Sequence, residues 1–197
     1  MTDDHELERM DSQAEHLQKL LGHENWLMAA VPVEEWGRDL TPWEAPPAFG
    51  KEPFGQNAPK TLDYLLTQVI PSFQRPGRKF YLCGYSLAGL FALWAVYQTD
   101  VFAGVAGVSP SVWYPGWIDF AKSHPVKTQK IYLSLGDKEP RTRNALMKTV
   151  GDAIGKQYEL LEAEGIRTKL EWNPGNHFVD SDLRVAKGLC WLLKEEV

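Results

Sequence analysis

The sequence predicts an α/β fold, an open and mostly parallel sheet with helices on both faces. Three observations carry that prediction. Short strand-like runs recur along the chain, segments of helical spacing separate them, and loops bearing Gly or Pro follow the runs. At 197 residues the chain suits one domain with a single core, and 44% hydrophobic against 24% charged residues is ordinary globular composition.

The elements follow in order. Leu7, Met10, Ala14, Leu17 and Leu21 step by three and four before Gly22, which predicts an amphipathic helix with a glycine cap. Residues 26–33 form a continuous apolar run and predict a strand buried on both faces. Residues 34–60 are rich in Pro, Gly and Trp without a period, as in long functional loops. Leu62, Leu65, Leu66, Val69 and Ile70 make a helical face that Pro71 should end. Strands are predicted at 79–83, 101–108, 130–135 and 168–172, with a helix at 87–97. A further helix carries Met147, Val150, Ile154, Tyr158 and Leu161 up to Gly165, and the last spans 182–193 with Ser181 as its N-cap. Residues 109–117 form an aromatic, Pro-bearing loop, and no pattern is visible from there to Thr128.

Charge and cysteine content remove several classes. With 21 basic and 26 acidic residues the net charge is -5, so the positive field that nucleic acid requires is missing. The two cysteines, Cys83 and Cys190, have no ligand-type spacing to the five histidines, which argues against a disulfide scaffold and a zinc site. The start, Met1-Thr2-Asp3-Asp4-His5-Glu6, puts acid where a signal peptide carries base, so the expected compartment is cytoplasmic. Residues 80–99 and 101–118 are uncharged and long enough to span a bilayer. Gly84, Ser86, Gly89, Pro110 and Pro115 within them, and a mean hydropathy of -0.34, favour a water-soluble core.

The sharpest local signal is Gly84-Tyr85-Ser86-Leu87-Ala88-Gly89, set between an apolar strand and an apolar helix. A serine on so tight a turn is pushed out of the sheet edge, and the positions two before and two after it must be small. Gly84 and Ala88 meet that requirement. The helix N-terminus then faces the hydroxyl, so the Leu87 N–H is an oxyanion donor. A merely structural Gly-rich turn is the alternative.

A nucleophilic serine needs a base and an orienting acid, normally met in the chain order serine, acid, histidine. The strand at 130–135 runs into Gly136-Asp137-Lys138-Glu139, and that at 168–172 into Asn173-Pro174-Gly175-Asn176-His177. His177 is the candidate base. Asp137 and Glu139 compete for the acid: Glu139 has the longer reach and is preferred, while Asp137, the second choice, is placed to fold back on its own turn.

The segments Arg38-Asp39-Leu40-Thr41-Pro42-Trp43, Gly84 through Leu93, Ser109-Pro110-Ser111-Val112-Trp113, Leu135 through Glu139 and Gly175-Asn176-His177-Phe178 resemble an esterase family of the α/β-hydrolase fold. Ferric-siderophore esterases of the enterobactin type, feruloyl esterases and S-formylglutathione hydrolase belong to it. The resemblance runs from about residue 25 to the end. It implies an α/β-hydrolase-like three-layer sandwich over a single domain, 1–197, with a Gly-x-x-acid turn that again favours Glu139 and a Ser-Pro-Ser-x-Trp segment beside the nucleophile. Ala88 stands where the family usually has Gly. Family members begin with further strands and a loop that supplies the second oxyanion donor. This chain is therefore expected to be N-terminally shortened, with about five strands, and to draw that donor from the Asp3-Asp4-His5 backbone or from the loop at Val33 to Trp36.

The expectation is a serine esterase that uses Ser86, His177 and Glu139, with no metal or organic cofactor and a small-molecule ester as partner. An acyltransferase on the same triad, or a binding protein with an incomplete oxyanion hole, is the alternative. Trp36, Trp43, Trp113, Tyr114 and Trp117 lie on the loops after strands, where they either roof the core or wall an apolar pocket. Trp36, Arg38, Trp113 and Tyr114 are the substrate-pocket candidates, although Arg38 can equally pair with Asp39. An uncovered strand at 26–33 would favour a homodimer, unless the loop at 34–60 covers it.

Overall fold

The computed structural model describes residues 4–22 and 25–194. In chain order the elements are α1 (Asp4–Leu21), α2 (Trp36–Asp39), α3 (Ala58–Tyr64), α4 (Ile70–Phe73), β1 (Phe80–Tyr85), α5 (Leu87–Gln98), β2 (Phe102–Val108), α6 (Trp117–Ser123), β3 (Lys130–Gly136), α7 (Val150–Ala163), β4 (Arg167–Asn173) and α8 (Ser181–Leu193). The four strands pair in parallel in the order β1-β2-β3-β4. Such pairs need crossovers, and the helices that supply them cover the sheet.

Helices α5, α6 and α7 lie on one face, where Leu90, Leu93, Val105, Trp117, Ile131, Leu133 and Ile154 build the main core. Helix α8 closes the other face over Ala106, Val108 and Tyr132. Leu17 of α1 then packs on Ala186 and Cys190 at the back of α8. Helix α5 is buried almost all round, as its uniformly apolar sequence requires. The register matters most for function. Tyr85 lies beside Val108, Val108 beside Ser134 and Gly136 beside Asn173, so Ser86, Ser109, Asp137 and Pro174 all leave the sheet at one edge.

Four expectations are corrected. Residues 26–33 are not a strand, so the described sheet has four strands rather than about five and β1 is its edge. The segment instead crosses from one face to the other: Trp26 and Met28 pack beside α1 and α8, and Val31 and Val33 join the main core. Its apolar character is satisfied by packing rather than by a ladder. Pro71 does not end its helix, because a π-helical stretch at Leu65–Val69 precedes it and α4 continues to Phe73. A widened turn eases the clash between a proline ring and the preceding carbonyls. The unpatterned stretch before Thr128 contains α6, whose buried residues are only Trp117 and Ala121. Asp180, with φ of 51°, caps α8 in place of Ser181.

Among the described residues no helix is long and apolar enough to cross a membrane.

Leu17 is 1% exposed and is the main anchor of α1 on α8. Leu17→Ala should lower the stability measured by urea denaturation by about 2–5 kcal/mol. A loss near zero would mean that α1 is not docked on α8 in solution.

Candidate active site

Ser86 joins β1 to α5 with φ of 59° and ψ of -121°, a conformation that costs a non-glycine residue on the order of 1–3 kcal/mol. The turn is so tight that a Cβ on Gly84 would lie 2.0 Å from the Ala88 carbonyl oxygen, so only glycine fits there. The turn is tied down by backbone bonds: Ser86 N–H donates to Val108 O at 3.1 Å, and Ser86 O accepts from Leu90 N–H and Ser111 N–H, each at 3.0 Å. The Ser86 side chain makes no capping bond to its helix. Leu87 opens α5, where the first N–H groups have no acceptor within the helix.

His177 arrives from the loop after β4. Its Nδ1 is 2.7 Å from Glu139 Oε2. Tyr85, the residue before the serine, donates its hydroxyl to the His177 carbonyl at 2.5 Å, and the two rings lie 5.1 Å apart. The histidine loop is therefore fastened directly to the end of β1.

The other Glu139 oxygen is saturated. Oε1 accepts from Gly136 N–H at 2.7 Å, from the Ser109 hydroxyl at 2.7 Å and from Arg184 Nη1 at 3.2 Å. Burial alone pushes this carboxyl up. The bonds from His177, Gly136 and Ser109 outweigh burial and hold it below the usual carboxylate value. Ser109 reaches it through a positive φ of 44°. A Cβ on Gly136 would lie 3.0 Å from both Glu139 Oε1 and Arg184 Nη1, so the glycine that ends β3 leaves the space in which they meet.

Asp137 serves a different end. Its Oδ1 accepts the Gly175 N–H at 2.7 Å, and its own N–H donates to Asn173 O at 2.8 Å. It joins the two loops and is turned away from the imidazole contact that Glu139 makes.

The substrate-pocket candidates divide. Trp113 and Tyr114 are 7% and 2% exposed and pack with Phe54, while the Tyr114 hydroxyl donates to Trp43 O at 2.6 Å. They are buried in the main core and roof it instead of walling an open pocket. Trp117 is fully buried, with its Nε1 on Gln157. Trp36 remains 45% exposed. The Arg38 guanidinium is held by Asp39 through Nε at 2.8 Å and by Glu35 through Nη1 at 2.9 Å, and the Arg38 bond takes the Asp39 carboxyl down to about 2. Of the candidates for the second oxyanion donor, Asp3 lies outside the described residues, Asp4 and His5 open α1, and Glu35 leads into α2.

Arg184, Ser109 and Tyr85 were not singled out as site residues by sequence reasoning. One signal was there: Arg184, Gly188 and Leu192 fall on a buried stripe of α8, and a charge on such a stripe needs a partner. Cys83 is no rival nucleophile, since burial pushes its thiol up to about 12. No group of three or more His, Cys, Asp or Glu side chains among the described residues could hold a metal ion.

No protein-family model and no curated protein sequence matches the chain. Solved structures do. The IroE-like serine hydrolase of Shewanella oneidensis aligns with a TM-score of 0.70 at 19% identity, over 93% of this chain and 66% of its own. Siderophore hydrolase EstA of Aspergillus nidulans gives 0.64 at 20%, over 93% and 78%. The enterobactin esterase FES of Shigella flexneri gives 0.54 at 19%, over 66% and 37%. The chain thus spans about two thirds of the IroE-like enzyme and shares the fold of α/β-hydrolase esterases over most of its own length.

The lowered Glu139 value has a consequence for folding. Its stabilising contribution is complete above the ordinary value of 4.5 and is lost as the pH falls through the lower, folded value. The stability gap between wild type and Glu139→Gln, read from urea midpoints, should therefore narrow between pH 7 and about pH 3. A constant gap would contradict it.

Proposed function

We propose that this α/β-hydrolase-fold protein is a serine esterase. The observation that carries the reading is the strained Ser86 elbow at the sheet edge to which the Glu139-paired His177 is also fastened. Ser86 Oγ attacks the ester carbonyl while His177 Nε2 takes its proton. Glu139 keeps the imidazole oriented through Nδ1 and stabilises the imidazolium. The oxyanion forms at the N-terminus of α5, where the Leu87 N–H and the helix dipole meet it. His177 then returns the proton to the leaving alcohol, and water repeats the sequence on the acyl-enzyme.

The structural relatives include siderophore hydrolases and an enterobactin esterase, and an ester of that class suits this surface. Lys138, Arg141, Arg143 and Lys148 are exposed on the segment after β3 that contains Glu139, and none forms an ion pair among the described residues. Four exposed cations on one short segment next to the site attract an anionic substrate. Phe178, 86% exposed, stands next to His177 and offers an aromatic ring to a substrate.

A fluorophosphonate should modify Ser86 and no other residue, and Ser86→Ala should abolish hydrolysis of p-nitrophenyl butyrate. Glu139→Gln should lower kcat by about 100-fold or more, with a much smaller effect from Asp137→Asn. Labelling at Ser109 or Ser111, or full activity in Ser86→Ala, would sink the proposal. For substrate class, Arg141→Glu with Arg143→Glu should raise KM for a carboxylate- or catecholate-bearing ester at least several-fold more than for the neutral ester. Equal effects on both would remove the anionic preference.

A further inference from the structure

Arg184 has no part in the mechanism above, yet among the described residues its side chain reaches more hydrogen-bond partners than any other. It projects from α8 toward the sheet and is 1% exposed. A leucine would fill that position on the buried stripe without the expense of desolvating a charge. What the guanidinium holds explains its presence. Nη1 reaches Glu139 Oε1 at 3.2 Å, with Ser109 Oγ at 3.4 Å and the Tyr85 hydroxyl at 3.5 Å beyond it. Nη2 donates to the carbonyls of Pro174 at 3.0 Å and Asn176 at 3.1 Å, in the loop that delivers His177. One nitrogen of the fork therefore grips the acid and the other grips the backbone adjoining the base.

The acid and the base come from loops after different strands, β3 and β4, which are joined at their bases by Asp137 N–H on Asn173 O at 2.8 Å and Lys138 N–H on Gly175 O at 3.0 Å. The Asp137 carboxylate adds a bond from the Gly175 N–H, but none of these ties reaches the Glu139 carboxylate or the residues flanking His177. Tyr85 completes the clamp from the third side by donating to the His177 carbonyl. Extending the esterase reading on which this rests, we propose that Arg184 is a positioning residue that sets the separation of Glu139 and His177. The planar guanidinium is rigid, so its two nitrogens keep a fixed spacing, and that spacing is transmitted to the triad. A lysine in its place presents one point of charge and grips one side only.

The experiment compares Arg184→Lys, Arg184→Met and, as a control on the same helix, Lys187→Met, which breaks an ion pair to Glu171 and a hydrogen bond to Asn173 Oδ1. With p-nitrophenyl butyrate, Arg184→Met should lose about 100-fold in kcat, with KM within about two-fold, and fluorophosphonate should label Ser86 more slowly by a similar factor. Arg184→Lys should fall between wild type and Arg184→Met. Guanidinium ion should restore part of the activity of a further variant, Arg184→Ala. In NMR spectra the His177 Nδ1 proton should weaken or shift in the Arg184 variants and persist in Lys187→Met.

Activity of folded Arg184→Met within a few-fold of Lys187→Met, at equal loss of Tm, would reduce Arg184 to a packing residue and overturn the proposal. Failure of both Arg184→Lys and Arg184→Met to fold would do the same by making it a folding residue. If Ser86→Ala instead keeps full activity, the esterase reading itself fails, and the two failures are told apart.

Discussion

A carboxylate buried among apolar elements must be surrounded by donors or lose its charge, and Glu139 is where this protein meets that demand. Its two oxygens collect an imidazole, a backbone N–H, a hydroxyl and a guanidinium. Those partners come from the β3 turn, the β2 turn, the β4 loop and α8. Satisfying one charge therefore specifies how four parts of the chain assemble. Removing one member of a buried ion pair of this kind typically costs about 3–5 kcal/mol, because the other is left uncompensated. The geometry that keeps Glu139 ionised is also what gives His177 a fixed orientation.

The strand register makes that convergence attainable. Parallel pairing brings the ends of β1, β2, β3 and β4 level, so residues far apart in sequence leave the sheet within one small region. Glycines then clear the room. Gly84 lets the backbone reverse beneath Ser86, and Gly136 leaves the space in which Glu139 and Arg184 meet. Burial of α5 almost all round holds the elbow against relaxation, since the helix cannot shift to relieve the strained serine without opening the core. Strain at Ser86 is thus supported by packing that begins one residue later.

Much of this was legible because it depends on near neighbours in the chain. Alternation of apolar runs and helical stripes located the four strands and the major helices to within a few residues. Strand-end placement pointed to His177 and, through side-chain reach, preferred Glu139 over Asp137. Other features resisted the same reasoning. The apolar run at 26–33 has the composition of a strand, but a strand needs a paired neighbour and these residues found packing partners instead. Helix α6 has too few buried positions to print a period. Trp113 and Tyr114 looked the same in sequence whether they roofed a core or walled a pocket, since an aromatic ring suits both.

By itself, then, the sequence determined the alternating α/β order, the elbow at Ser86 and the set of acid and base candidates. These follow from φ and ψ limits, side-chain size and periodicity, which act over a few residues. Only the tertiary structure decided that Glu139 rather than Asp137 faces His177, that Arg38 is held by Asp39 and Glu35, and that Arg184 and Ser109 belong to the site. The physical reason is that a buried charge is assigned its partners by the register and packing of elements distant in sequence. No local pattern records which carboxylate a guanidinium 45 residues further along the chain will meet.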